Sequence, residues 1–359
     1  MRDTKRADWQ KIRQVGCFTA IFPGKNRKTC QKETLNILEF AKRANVSTAT
    51  ISRAFHEPDK LRADTRDRVL ALAQKLGYYP SPSGRALKRG RHDVLGVIWP
   101  LEVEGAEAEF AQRILASLTR HLVTNDLDLL VCPVNRSEPE TLAHAHRTLQ
   151  RSRCDAWILL YPRHHDALIA SLANSHKPVV CLMGNLPECP AWKSVRLNQR
   201  SWIEDALQRL RAAGCRNVLF FGSREGEPDH EERLKSFAAL APKYFGTRTA
   251  CLPGWPPDTA ELERHLAAHP ADAIIGVDDR AALLALDLCQ KISLRVPGKM
   301  KVIGMDDIPR AQFSAPPLSS YRQPLDEMVA CAVDLALGKR KTSKLFEAEF
   351  VARNSLPER

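Results

Sequence analysis

Val46–Phe55 reads VSTATISRAF, and this stretch decides how the first quarter of the chain is read. Ser47 is suited to cap a helix whose inward face is Ile51, Ala54 and Phe55, which leaves Thr48, Ala49, Thr50, Ser52 and Arg53 outward. Just upstream, Ile37, Phe40, Ala41 and Ala44 fall at i, i+3, i+4 and i+7, the spacing of one helix face. Between the two stands Asn45, a residue that tolerates the positive φ of a tight turn. His56-Glu57-Pro58-Asp59 then breaks the pattern. A third helix is expected from Ala63 to Leu76, with Val69, Leu72, Ala73 and Leu76 inward, Asp64 in its first turn and Gly77 at its end. Three short helices with a tight turn between the first two make a helix-turn-helix, whose second helix enters the DNA major groove by its N-terminal residues. Here those are Thr48, Ala49 and Arg53: the arginine fork reads guanine or clamps phosphate, and the two small residues can touch a thymine methyl. One such motif reads only a short half-site, so a homodimer on a pseudo-palindrome is expected.

The charge distribution separates this reading from a helical bundle with no DNA role. Of 359 residues, 27 % are charged, and the formal net charge is +12. Residues 1–93 hold 21 Lys+Arg against 9 Asp+Glu, whereas residues 94–359 hold 33 of each. The whole excess lies in the first quarter, as expected for a basic nucleic-acid module joined to a neutral one with another task. Residues 1–33 show no sustained period, and Pro23-Gly24 interrupts their one apolar cluster, so they are expected to be a disordered basic extension. No window approaches the ~18 apolar residues of a membrane span, and Cys17–Phe22 is too short for a signal-peptide core. A location in the cytoplasm, at the nucleoid, is expected. The 10 cysteines form no CxxC pair, which argues for reduced thiols and against a zinc or redox site.

From Val94 onward strand-like and helix-like runs alternate, beginning Val94–Trp99, Ala106–Asn125, Leu127–Cys132, Pro139–Arg151 and Ala156–Leu160. That rhythm predicts parallel sheets covered by helices on both faces. A second set of runs from about Ser201 implies a second α/β lobe, with the boundary near Pro190–Asn198. Such lobes bind small molecules in the crevice at the carboxyl ends of their strands. Asp278-Asp279 follows one strand and Asp306-Asp307 another. Without a phosphate-cradling loop these acids do not make a metal site; they suit ligand hydroxyls or amines, while Arg233 can bind a ring oxygen or an acid and Trp255 can stack on an apolar face. No nucleophile elbow is present, since Ser223 directly follows Gly222, and His144, His146, His164 and His165 lack metal spacing. No catalytic residue, metal or cofactor is expected.

The order of VSTATISRAF, TRDRVLALAQKLGYYPSPSGRALKRGR and LGVIWP resembles the LacI/GalR family of bacterial transcriptional regulators, over essentially all of residues 36–359. The resemblance implies an N-terminal all-α helix-turn-helix DNA-binding domain plus an α/β two-lobed periplasmic-binding-protein-like effector domain. The implied layout is a DNA-binding domain at 34–79, a hinge at 80–93, and a ligand-binding and dimerisation domain at 94–359. Within the last, lobe 1 takes about 94–195 and 323–340, and lobe 2 about 196–322 and 341–359. In this family the linker folds into a hinge helix on the operator and paired leucines wedge into the minor groove; Leu87 matches the wedge, and Arg85 joins Ser47, Thr48, Ala49, Thr50 and Arg53 in the implied DNA-binding set. Arg233 matches an effector-contacting arginine, Asp278-Asp279 the "ND" motif, and Asp306 opens "GxDD"; with Trp255 these form the implied effector site.

The implied function is a sequence-specific regulator, read as a repressor, that binds operator DNA as a homodimer and answers to a small carbohydrate-like effector. The competing reading is a two-lobed small-molecule receptor with no DNA role, which would need an export signal. Several residues depart from the family: Asn45 stands for a usual Gly, Ser81 for Asn and Gly84 for Ala, the last costing a hinge helix ~1 kcal/mol. Met183-Gly184 stands where many members carry an acidic ligand contact, and Val195–Asn198 lacks the Asp of "VxxDN". Either a ligand less hydroxylated than a free sugar or no ligand at all is therefore expected.

Overall fold

The computed structural model describes residues 35–80, 90–102, 105–151 and 153–357. The expected extension at 1–33 and the hinge residues Arg85 and Leu87 lie outside the described residues. The chain divides into two compact units, 1–84 and 85–359.

In the first unit α1 (Ile37–Ala44), α2 (Thr48–His56) and α3 (Ala63–Leu76) form the three expected helices. Asn45 ends α1 at φ 51°, the left-handed turn that its short polar side chain tolerates, and Gly77 ends α3 at φ 63°. A capping box that the sequence reading missed starts α1: Asn36 Oδ1 accepts from Glu39 N at 2.9 Å, and Glu39 Oε2 from Asn36 N at 3.3 Å. Phe40, Ala41, Ala44, Ile51, Ala54, Val69 and Ala73 make the core together with Tyr78, whose ring stacks on Phe40 at 4.1 Å. Ile37, expected inward, is 40 % exposed, because the α1 stripe closes on α2 and α3 through Phe40 and Ala44 and its first turn overhangs them.

The second unit holds two six-stranded sheets. The first has the order β11-β5-β4-β3-β1-β2, with β1 (Val94–Pro100), β2 (Asp128–Val134), β3 (Ala156–Leu160), β4 (Val179–Leu182), β5 (Lys193–Leu197) and β11 (Lys344–Phe346) all parallel. The second has the order β12-β10-β9-β8-β6-β7, built from β6 (Val218–Phe221), β7 (Thr249–Leu252), β8 (Ala273–Gly276), β9 (Lys301–Met305), β10 (Ser319–Arg322) and β12 (Glu349–Val351). Only β12 runs antiparallel, along β10. β3, β4, β6 and β8 are buried along their whole length, which is why they read as unbroken apolar runs.

The helices are α4 (Ala106–Thr124), α5 (Pro139–Arg151), α6 (Ile169–Asn174), α7 (Gln199–Ala212), α8 (Pro228–Phe245), α9 (Thr259–Ala268), α10 (Asp279–Lys291), α11 (Pro309–Phe313) and α12 (Leu325–Ala336). One lobe boundary needs correction. Residues 341–359 were expected in lobe 2, but Lys344–Phe346 pairs with Val195–Leu197 in the first sheet, and the chain returns to the second sheet only at Glu349. The pairing completes the edge left open by β5, whose outer hydrogen bonds would otherwise face solvent. Burial holds the Cys132 thiol up at about 11 and Cys181 at about 12, so neither is a reactive thiolate.

Candidate functional site

The first unit presents one face. Ser47 Oγ accepts from Thr50 N at 3.0 Å and lies 2.9 Å from Thr50 Oγ1, so both hydroxyls are engaged in holding the start of α2. Ala49 and Arg53 are exposed, and Thr48 is half-buried. The arrangement leaves Arg53 as the long donor of α2 and gives Ser47 and Thr50 the task of fixing its first turn. Ser47→Ala should cost ~1 kcal/mol of first-unit stability, seen as an earlier unfolding of the α-helical signal in a urea titration; an unchanged midpoint would show the cap to be redundant.

In the second unit the strand ends of both sheets meet at a crevice lined by Glu107, Phe110, Tyr161 and Met183 from the first lobe and Arg224, Glu227, Asp229, His230, Arg233, Asp278 and Asp306 from the second, with Gln323 on the crossover. The enclosed space is only ≈ 30 Å³, about one water molecule. Contacts across the crevice explain the tight closure. Glu107 on α4 binds Arg224 at 2.8 Å and Arg280 at 3.5 Å, Arg310 binds Glu109 at 2.9 Å, and Arg113 Nη1 donates to the carbonyls of Asp306 and Asp307 at 3.0 Å. A wider pocket of ≈ 950 Å³ adjoins it and shares Arg224.

The four aspartates at the strand ends go four ways. Asp278 caps α10 through Ala281 N at 2.8 Å and still lines the crevice. Asp279, expected to touch the ligand, does not line it: its carboxylate accepts from Ser320 Oγ at 2.6 Å and Ile308 N at 2.8 Å, and ties α10 to the chain after β9. Gly304 makes room for that tie, since a Cβ there would overlap the Asp279 carboxylate. Asp306 faces the crevice and accepts from Gln323 Nε2 at 2.6 Å. Asp307 is taken up by Arg322 at 2.7 Å and Arg353 at 2.5 Å.

Arg233 is 4 % exposed, with Nε donating to Gln199 Oε1 at 2.9 Å and Nη1 to the Val277 carbonyl at 2.8 Å. Both anchors hold the guanidinium rigid beside the acids. Trp255 lies outside the enclosed space and lines the wider pocket, its ring between Arg224 at 4.5 Å and Arg280 at 5.2 Å. The lining residues that the sequence did not reveal are Glu107, Phe110, Tyr161, Arg224, Glu227, Asp229, His230 and Gln323. The only signal for three of them was the polar run Glu227–Arg233 at the start of a helix.

Charge in the crevice is poorly balanced. Burial raises Glu107 to about 7, Asp306 to about 7 and Asp229 to about 6. Burial also pushes Glu227 upward, but His230 and the arginines around it outweigh that and hold it below the usual range. Because the folded state binds a proton on Asp306 that the unfolded chain releases at lower pH, this group weakens the fold as pH climbs from about 4 to about 7. Asp306→Asn is therefore expected to raise Tm by a few degrees at pH 8 and hardly at all at pH 4. A scanning-calorimetry series showing the same gain at both pH values would exclude this cause. Among the described residues no group of three or more His, Cys, Asp or Glu side chains could hold a metal ion, and no helix is long and apolar enough to cross a membrane.

Comparison with known proteins places both units. Residues 36–81 match the model described as bacterial regulatory proteins, lacI family, and residues 207–355 the periplasmic binding protein-like domain. The HTH-type transcriptional regulator GalS of Salmonella typhimurium is 27 % identical over 313 residues, covering 84 % of this chain and 89 % of that protein. The HTH-type transcriptional repressor CytR of Escherichia coli is 27 % identical over 343 residues, covering 90 % and 97 %. Among solved structures, the lac repressor dimer bound to operator and the anti-inducer ONPF aligns with a TM-score of 0.75 at 20 % identity, over 91 % of this chain and all of that one. The transcriptional regulator CelR in complex with cellobiose aligns with a TM-score of 0.65 at 22 % identity, over 89 % and 99 %. The likeness in structure establishes the shared fold.

Proposed function

Since the chain belongs to the LacI family of bacterial regulatory proteins and is a DNA-binding transcriptional regulator, we propose that it represses from a pseudo-palindromic operator as a homodimer, under control of a small molecule bound between the lobes. The observation that carries the reading is the α2 face: a capped helix with Ala49 and Arg53 exposed at its N-terminal half, in the module that carries the chain's positive charge. Relatives whose names call them repressors support the direction of regulation. The crevice supports the effector role, because a ligand shifts the DNA-binding equilibrium only by its differential affinity for two lobe arrangements, and side chains from both lobes line this space.

The domain layout at 34–79, 80–93 and 94–359 belongs to this reading, as does a site in the cytoplasm at the nucleoid. So does the expected absence of a catalytic role, which the relatives named as transcriptional regulators support. In the hinge, Arg85 is assigned to phosphate and Leu87 to the minor-groove wedge. Of the crevice, Arg233, Asp278 and Asp306 are assigned to the effector, with Trp255 at its outer edge.

Selection of random duplexes by the full chain tests the proposal. It should enrich an inverted repeat, with affinity falling steeply as salt rises because phosphate contacts release counterions. Enrichment of no inverted repeat, or an affinity indifferent to salt, would overturn it.

A further inference from the structure

The crevice has the wrong charge for an anionic ligand and more negative charge than a neutral one needs. Five carboxylates, from Glu107, Glu227, Asp229, Asp278 and Asp306, face two guanidiniums, from Arg224 and Arg233. Only Arg224 is paired by acids, and Arg233, anchored on neutral groups, keeps its charge beside Asp229 and Asp306. Arg224 binds Glu107 and Glu227, and Arg233 donates to Gln199 and Val277. At the mouth Arg280 also binds Glu107, and Arg163 binds Glu102 at 3.1 Å. Burial holds His230 below its ordinary range against the pull of Glu227.

Three buried acceptors of the lining make no hydrogen bond; Glu227 Oε2 still faces Arg224 at 3.4 Å, which leaves two without any partner. Asp229 is 4 % exposed and its Oδ1 has no hydrogen-bond partner; Gln323 is 4 % exposed and its Oε1 likewise has none. Both residues line the enclosed space. An unpartnered buried acceptor costs free energy that a donating ligand restores. The position of Asp229 also accounts for the missing acid of the first lobe. Gly184 has φ 138°, and a Cβ there would crowd Pro162 at 2.9 Å and lie 3.8 Å from Asp229 Oδ1. The second lobe thus supplies a carboxylate to the corner where the first lobe has none.

We propose that the effector, admitted when the lobes part beyond the present one-water space, is a small hydroxylated cation, an amine such as an amino sugar, whose ammonium sits among Asp229, Asp306 and Gln323 while hydroxyls reach Arg233 and Asp278. This rests on the effector reading of the crevice and narrows its ligand class. An ammonium supplies three donors and no acceptor, which matches two orphaned oxygens and a carboxylate held only by an amide. It also brings positive charge to Asp229 and Asp306, which burial leaves partly protonated near neutrality despite Arg233, and binding should expel those protons. A phosphate or carboxylate ligand would meet the same acids as repulsion.

The test titrates the full chain at pH 7 with matched probes: neutral hexoses and pentoses, their 2-amino counterparts and their phosphate esters, each in two buffers of different ionisation heat. At least one aminated probe should bind 10-fold or more tighter than its neutral counterpart, with net proton release, and its phosphate ester should not bind. Asp229→Asn and Asp306→Asn should each shrink the preference and the proton release together. Neutral probes binding as tightly as aminated ones, or no aminated probe binding, would overturn the proposal. If a neutral probe binds and shifts operator affinity, the effector reading stands and only the cationic class falls. If no probe binds and operator affinity responds to none of them, both fall.

Discussion

Arg53→Ala removes the ability to tell an operator from random duplex while leaving salt-dependent, sequence-independent binding in place. Arg53 lies on the outward face of α2, exposed, the sixth residue of a helix whose first turn is locked by Ser47 and Thr50. A bidentate arginine contact to guanine discriminates by ~1 to 3 kcal/mol per site, and a dimer loses it in both half-sites. The expected result is a drop in the specific-to-nonspecific affinity ratio of roughly 30-fold to 10⁴-fold, with the salt slope of nonspecific binding reduced by about one charge per half-site at most. Quantitative binding to the selected operator and to scrambled duplex, across a salt series, measures both numbers. A ratio that stays at its wild-type value would place sequence reading elsewhere in the module.

Arg233→Ala has the largest expected effect in the second unit, and it is double. The guanidinium spans Gln199 and Val277 and stands near Asp229 and Asp306, so its loss leaves the Val277 carbonyl unsatisfied and the neighbouring acids less compensated. A buried acceptor stripped of its partner costs ~1 to 3 kcal/mol, enough to lower the unfolding temperature of this unit by on the order of 5 °C. Loss of a charged hydrogen-bond donor to ligand adds a fall in ligand affinity of roughly 10- to 100-fold. Operator affinity without ligand should persist, because Arg233 belongs neither to the helix-turn-helix nor to the hinge. Arg233→Lys keeps the charge without the fork, and should restore stability better than ligand affinity. A variant that unfolds earlier but keeps the ligand response would reduce Arg233 to a brace; one that loses the response at wild-type stability would make it a contact alone.

Local rules made the first unit readable. Asn45, Ser47 and Gly77 each do in the structure what their own backbone preferences dictate, and the inward spacing of Phe40, Ala44, Ile51, Ala54, Val69 and Ala73 is a property of the helix period. The alternation of buried strands and helices in the second unit was legible for the same reason. Parallel strands buried on both faces leave a continuous apolar trace. The edges were not legible. β11 and β12 are three residues each, too short for a period, and their sheets are chosen by which open edge lies within reach.

The site divides along that same line. The sequence by itself determined that the basic quarter is a helix-turn-helix, that two α/β lobes follow, and that Arg233, Asp278 and Asp306 stand at strand ends or helix starts facing a crevice. Only the tertiary structure decided that Asp279 braces α10 against Ser320 and Ile308, that Trp255 lies outside the enclosed space, and that Glu107 reaches across from the other lobe to Arg224. Asp278 and Asp279 are adjacent and chemically identical, and no local preference separates them. What separates them is a turn of backbone at the start of α10, which points one carboxylate into the crevice and the other into the space that Gly304 leaves empty.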